Sequence, residues 1–222
     1  RRLDWIEPWH TPLVWEEPHA QWFVGGKLNA CANCVDRHVA AGNGGRPAIL
    51  WEGEPGETTR WTYAELLSQV CKIGNALKEL GVRRGDIVCI YMPMVPEIVA
   101  TMLACARIGA AHSVVFAGFS AESLRERIND AGAVAVVTAD GGWRRGNVVP
   151  LKQIVDAALK DAPSVRKVLV LERIGADRVP VEMTEGRDVR WQEIVPRQPD
   201  ECPCEAMDSE DLLFTLYTSG ST

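Results

Sequence analysis

An α/β fold, with a mostly parallel sheet covered by helices on both faces, is what this sequence predicts, and three observations carry it. Short apolar runs such as Ile87-Val88-Cys89-Ile90-Tyr91-Met92 alternate with longer segments whose apolar residues recur at helical spacing. The connections between them are short. The strand runs are apolar at successive positions rather than at every second one, so both of their faces are buried, as in parallel sheets. An irregular, aromatic-rich arm precedes this alternation.

The arm, residues 1–30, holds four of the eight tryptophans: Trp5, Trp9, Trp15 and Trp22. Pro8, Pro12 and Pro18 break any long helix, and the rings argue for anchorage on a larger body rather than disorder. A helix follows over residues 30–40 and carries Cys31, Cys34, Asp36, Arg37 and His38. Cys31-x-x-Cys34 would open a zinc or dithiol site, but the other close pair, Cys202-Pro203-Cys204, lies far outside finger spacing. Buried thiols on a helix face are therefore expected, and His38 is expected to be structural.

Residues 47–52 and 59–62 flank the turn Gly53-Glu54-Pro55-Gly56 and read as a hairpin. Thr62-x-x-Glu65 is a capping box. It opens a helix over 63–80, with Leu66, Leu67, Val70, Ile73, Leu77 and Leu80 on one face and Gly81 at its end. Strands at 86–92, 111–116, 134–138 and 167–171 alternate with helices at 96–108, 120–131 (capped by Ser120) and 150–162. Periodicity then fades, and 172–211 reads as surface excursions with a little strand near 189–193. The run Leu212-Leu213-Phe214-Thr215-Leu216-Tyr217 reads as a last buried strand.

Composition limits the function. A net charge of −6 argues against nucleic acid or an anionic membrane as the main partner. No apolar run approaches the roughly 18 residues of a membrane helix, and the start has no signal-peptide character. Seven cysteines, an odd number without a secretion signal, point to reduced thiols and a cytoplasmic protein. The absent initiator methionine and the abrupt last loop suggest that residues are missing at both ends.

In parallel sheets ligands bind beyond the carboxyl ends of the strands, so the loops at 92–95, 116–119, 139–149 and 218–222 carry the functional expectation. None holds G-x-G-x-x-G, which disfavours a Rossmann-type oxidoreductase, and no Walker spacing occurs. Thr218, Ser219, Gly220, Ser221 and Thr222 offer hydroxyls and backbone N–H groups that can converge on phosphate; an ordinary polar turn is the alternative. Asp140-Gly141-Gly142-Trp143-Arg144-Arg145-Gly146-Asn147 is either a glycine-rich surface turn with solvated arginines or an arginine clamp on an anion.

Several segments share one resemblance. Residues 28–39, 91–97, 103–110, 112–122 and 128–140, followed by Tyr217-Thr218-Ser219-Gly220-Ser221-Thr222, are similar to successive blocks of the adenylate-forming acyl-CoA synthetases. AMP-forming acetyl-CoA synthetases are the nearest group, and the likeness covers essentially the whole chain. It implies a ligase that joins acetate to CoA through an acetyl-adenylate, consuming ATP with Mg2+ and releasing AMP and pyrophosphate. Residues 1–45 then match the arm and helix of that family, and 46–222 the first part of its large AMP-binding domain.

The resemblance also implies residue roles. Thr218 to Thr222 match the loop that holds the β- and γ-phosphates of ATP. Arg144, Arg145, Gly146 and Asn147 match the segment contacting the 3′-phosphate ADP part of CoA, with Asn147 standing where relatives are often basic. Phe116, Ala117 and Gly118 match the loop on which the CoA adenine packs, Ala117 replacing a common glycine. The loop lysine, the acetate pocket and the mobile domain with its catalytic lysine lie outside these residues. The resemblance therefore implies a partial chain, inactive alone, with small-molecule substrates and the rest of its own polypeptide as partners. Propionate in place of acetate, or a non-catalytic CoA-binding module, are the competing readings.

Overall fold

In the computed structural model, which describes residues 3–218, the arm is not wholly irregular. β1 (Thr11–Glu16) and β2 (His19–Val24) pair as an antiparallel hairpin, Thr11 opposite Val24 and Glu16 opposite His19. Proline excludes a helix interior but is tolerated in turns and edge strands, and Pro18 lies in this turn. The rings of Trp5, Trp9 and Trp22 gather around Phe23, their centroids 5.5, 5.7 and 6.2 Å from its own. β3 (Lys27–Leu28) ends the arm.

The expected helix runs on from residue 30 but is wound wide, with π-helical stretches at Ala32–Asp36 and Val39–Asn43. Cys31 and Val35 face inward, whereas Cys34 is exposed, which corrects the expectation that both thiols are buried. Position i+3 on a widened turn falls off the buried face. His38 packs on the ring of Tyr63 at 4.8 Å.

β4 (Pro47–Glu52) and β5 (Thr58–Thr62) form the expected hairpin. The capping box follows: Glu65 N–H donates to the Thr62 hydroxyl at 3.3 Å, and Thr62 N–H donates to the Glu65 carboxylate at 2.7 Å. α1 (Tyr63–Glu79) buries Leu66, Val70, Ile73 and Leu77 on one face. Each such side chain contributes about 1.5–3 kcal/mol by leaving water.

The sheet is built from β6 (Ile87–Tyr91), β7 (Ala111–Val114), β8 (Ala135–Ala139), β11 (Lys167–Leu171), β12 (Asp188–Arg190) and β14 (Phe214–Thr215). Between β8 and β11 the chain adds a small hairpin, β9 (Gly142–Arg144) and β10 (Asn147–Val149). The strand order is β12-β11-β8-β6-β7-β14, with every neighbouring pair parallel. α2 (Pro96–Arg107) crosses from β6 to β7, and α3 (Ala121–Ala131) returns from β7 to β8 on the far side of β6. Because such crossovers are right-handed, α2 and α3 cover opposite faces. α1 packs with α2, and α3 packs with α4 (Leu151–Ala158). The direction of winding thus reverses at β6, the position beside which parallel sheets open a ligand crevice.

Two parts of the carboxyl-terminal region depart from expectation. β12 comes from the aperiodic stretch yet joins the main sheet, held by an ion cluster. Lys152, fully buried, reaches Asp156 at 2.7 Å and Asp188 at 2.8 Å, and Arg187 bridges the same two carboxylates at 2.6 Å each. The short α5 (Trp191–Ile194) follows, and β13 (Met207–Asp208) returns to pair with β3. The run 212–217 is strand only at Phe214–Thr215 and is not buried: Leu212, Phe214 and Leu216 are 54%, 49% and 67% exposed. It forms the edge of the sheet among the described residues, so its apolar character reflects the strand itself and not coverage.

Candidate functional site

Asp140 organises the carboxyl-end loops. The residue is buried, and its carboxylate accepts backbone N–H bonds from Gly141 at 2.6 Å, Arg173 at 2.9 Å, Ile174 at 3.0 Å and Gly175 at 2.8 Å. The loop leaving β8 is thereby fastened to the loop leaving β11. A short carboxylate can do this because it presents about four lone-pair directions to converging amides. The β9–β10 hairpin starts from this fixed point.

Arg145 and Gly146 close that hairpin with φ of 52° and 78°, the left-handed pair of a two-residue turn matched to strand twist. Their two N–H groups both donate to the carboxylate of Glu54, in the β4–β5 turn, at 3.0 Å for Arg145. Asn147 donates from its amide to the Arg145 carbonyl at 3.2 Å, folding back on its own turn. Arg144, one residue earlier, extends the other way. Its guanidinium lies over the ring of Phe116, 5.0 Å from the centroid.

That contact explains Gly118. A Cβ there would collide with Nη1 of Arg144 and with the Phe116 ring, so the arginine occupies the room that glycine leaves open. Phe116 in turn meets Phe119 edge-on at 5.7 Å and remains half exposed, while Ala117 packs against the core. The fold therefore brings Arg144 together with Phe116, Ala117 and Gly118, although the two segments are far apart in sequence. Arg145, Gly146 and Asn147 sit at the turn of the same hairpin, with the Glu54 carboxylate against their backbone.

A cavity of about 460 Å³ opens beside this corner, walled by Pro93, Met94, Phe116, Gly118, Trp143 and Arg144. Its lining is largely apolar with a few charged side chains, Arg144 and Arg173 among them, the usual make-up of a small-molecule site. Lining residues outside the loops that the sequence marked include Trp51, Glu54 and Arg173. The Trp51 indole N–H donates to the Met94 carbonyl at 2.7 Å, and Arg173 faces the Trp51 ring at 5.3 Å while pairing with Glu57. Burial holds the Arg173 guanidinium below its ordinary pKa. The only local signal was a tryptophan inside a hairpin adjoining the sheet.

Thr218 follows β14 at the carboxyl edge of the sheet; Ser219, Gly220, Ser221 and Thr222 lie outside the described residues. The approach to them is anchored by Tyr217, whose hydroxyl donates to Asp130 at 2.5 Å. Arg127 of α3 stacks on both Tyr217, at 5.3 Å, and Phe119, at 4.7 Å. Burial, followed by the bond to Asp130, pushes the Tyr217 phenol up to about 12. No group of three or more His, Cys, Asp or Glu side chains among the described residues is arranged to hold a metal ion. No role toward Mg2+ is assigned to them.

A planar aromatic face, a guanidinium and an apolar cavity at the winding reversal of a parallel sheet together define an α/β domain suited to a nucleotide-like ligand. Family comparisons agree with that class. The model described as AMP-binding enzyme matches residues 36–222, and that described as acetyl-coenzyme A synthetase N-terminus matches residues 1–34. The chain belongs to the AMP-binding enzyme family.

Among curated relatives, an acetyl-coenzyme A synthetase of Rhodopirellula baltica is 57% identical over 99% of this chain and 33% of its own length. One of Rubrobacter xylanophilus is 56% identical over 100% of this chain and 34% of its own length. The solved acetoacetyl-CoA synthetase from Streptomyces lividans superposes with a TM-score of 0.86 at 27% identity, over 98% of this chain and 32% of that one. The chain thus spans about a third of the length of the relatives it matches.

Proposed function

We propose that the polypeptide carrying this chain is an AMP-forming acetate–CoA ligase. In this reading an acetate oxygen attacks the α-phosphorus of ATP, pyrophosphate leaves, and the thiol of CoA displaces AMP from acetyl-adenylate. The observation that carries the reading is identity of 52–57%, over 99% or more of this chain, to proteins named acetyl-coenzyme A synthetase.

Arg144 is assigned to the phosphates of the nucleotide part of CoA, and the exposed face of Phe116 to its adenine, with Ala117 and Gly118 keeping the approach narrow. An arginine suits this task because its fork matches phosphate oxygens and stays charged. Asn147 is committed to its own turn, so Arg144 and Arg145 supply the positive charge at this corner. Thr218, Ser219, Gly220, Ser221 and Thr222 are assigned to the β- and γ-phosphates of ATP. Preorganised hydroxyls and amides there would stabilise charge shifting onto pyrophosphate without solvent rearrangement. CoA supplies the attacking thiol, and Mg2+ accompanies ATP in this reading.

Residues 1–45 are read as the family's arm and first helix, and 46–222 as the opening part of its AMP-binding domain. The reading implies small-molecule substrates, no nucleic acid and a cytoplasmic enzyme; no helix among the described residues is long and apolar enough to cross a membrane.

The test is to incubate the polypeptide with ATP, CoA and either acetate or propionate, following AMP and thioester together. Faster thioester formation with acetate supports the reading. Preference for propionate keeps the family but changes the acid, since one methylene is worth only about 1–3 kcal/mol of discrimination. Ligand binding without AMP release from either acid would leave a non-catalytic binding module.

A further inference from the structure

Tyr217 stands where the sheet has stopped guiding the chain. Among the described residues β14 pairs with β7 only at Phe214 and Thr215. Leu216 and Thr218 on either side of Tyr217 are exposed, whereas Tyr217 itself is half-buried. What holds it is the last part of α3. The Tyr217 hydroxyl donates to the Asp130 carboxylate at 2.5 Å and lies 3.4 Å from the Arg127 carbonyl, and the Tyr217 ring faces the Arg127 guanidinium at 5.3 Å.

That guanidinium is fixed in its turn. Nη1 of Arg127 donates to the Ser123 carbonyl at 2.9 Å and to the Ser123 hydroxyl at 3.2 Å, one turn back on α3. The same group lies over the Phe119 ring at 4.7 Å. Phe119 is tied to the core: its carbonyl accepts from the hydroxyl of Tyr91, a buried residue of β6, at 2.8 Å, and its N–H donates to the Phe116 carbonyl at 3.0 Å. Ser120, the next residue, caps α3 by accepting the Ser123 N–H at 3.3 Å. Arg127 thus joins a ring anchored on β6 to a ring at the end of β14. A planar, weakly hydrated guanidinium suits this place, because it can lie on aromatic faces and still donate hydrogen bonds.

We propose that Arg127 is a positioning residue for ATP: through its contact with Tyr217 it sets where the segment from Thr218 onward leaves the sheet. The inference rests on the reading that assigns Thr218 to Thr222 to the β- and γ-phosphates. Preorganised donors act only when the backbone that carries them starts from a fixed point, and a misplacement of about 1 Å is enough to weaken them. The competing role for the same arginine is direct attraction of phosphate by its charge. Its Nη1 is committed to Ser123 and its guanidinium to two rings, so its effect runs through Tyr217.

The polypeptide is titrated by calorimetry with ATP and, separately, with adenosine 3′,5′-bisphosphate, which carries the 3′-phosphate of the CoA nucleotide but no thiol. In Arg127→Met the Kd for ATP should rise roughly 5- to 20-fold, the equivalent of one or two cation–π contacts. The Kd for the bisphosphate, which reads the Arg144 corner, should stay within about twofold. Tyr217→Leu should weaken ATP to a similar extent, and adding Arg127→Met to it should cost no more than about twofold further, since the arginine then has no ring to hold. Arg127→Lys keeps the stem and the charge; it should show the same selectivity at smaller magnitude and serves if Arg127→Met fails to fold.

Unchanged ATP affinity in Arg127→Met, equal weakening of both nucleotides, or losses that add in the double variant would overturn the proposal. A parent that binds both nucleotides yet forms no AMP from ATP and acetate would end the ligase reading, while the variant titrations would still decide the role of Arg127. A parent that binds no ATP would end both.

Discussion

The guanidinium of Arg144 and the ring of Phe116 face each other at 5.0 Å, joining the loops that leave β8 and β7. Only the missing side chain of Gly118 makes room for this pair. Gly118→Ala is expected to push the end of Arg144 off the ring. Because that end is flexible, the thermal midpoint should change little, by the equivalent of less than about 1 kcal/mol. The KM for CoA should rise several-fold. A large fall in the midpoint with an unchanged KM would mean that the contact is structural only.

Asp140 has a different character. Its side chain receives four backbone N–H groups in a buried position, and no other acceptor replaces it in Asp140→Ala. Each orphaned donor carries a desolvation cost of about 1–3 kcal/mol, so the variant should lose at least about 3 kcal/mol in urea denaturation. Asp140→Asn retains one acceptor oxygen and should lose less. Equal and small losses would show that water replaces the carboxylate.

The ion cluster around Lys152 carries a pH dependence. Burial alone would raise the Asp188 pKa, but bonds from Arg187, Lys152 and the Thr184 N–H outweigh it and hold the carboxyl below its ordinary 3.8. A depressed acid contributes its full stability above the unfolded value and loses it as pH falls through the folded one. Asp188→Asn should therefore be less stable than the parent above pH 5, by about 3 kcal/mol given the buried lysine left behind. Below pH 3.8 the gap should narrow. Denaturant midpoints from pH 6 to pH 2.5 check this; a constant gap would contradict it.

What was legible in the sequence were features set by near neighbours. The capping box at Thr62 and Glu65 and the alternation of apolar strands with amphipathic helices are local, and they appear almost residue for residue. The loops at 92–95, 116–119 and 139–149 follow from the rule of parallel sheets, and all three line the cavity. Glu54 was not legible, because its role depends on meeting Arg145 and Gly146 across the fold. The burial of 212–217 was misread for a related reason: apolar composition reports what a strand would bury, not what covers it. Cys34 points outward because the helix is wound wide, a geometry that no local spacing signals.

The most direct test of the site measures both half-reactions of Arg144→Ala side by side. Acetate-dependent ATP–pyrophosphate exchange reports adenylation, a step assigned to other residues. Thioester formation reports the step that needs CoA. Exchange should stay within about twofold of the parent while the KM for CoA rises roughly 10- to 100-fold, as expected for a lost charge-assisted bond of about 1.5–3 kcal/mol. Parallel loss of both activities, or an unchanged KM for CoA, would contradict the assignment of this corner to CoA.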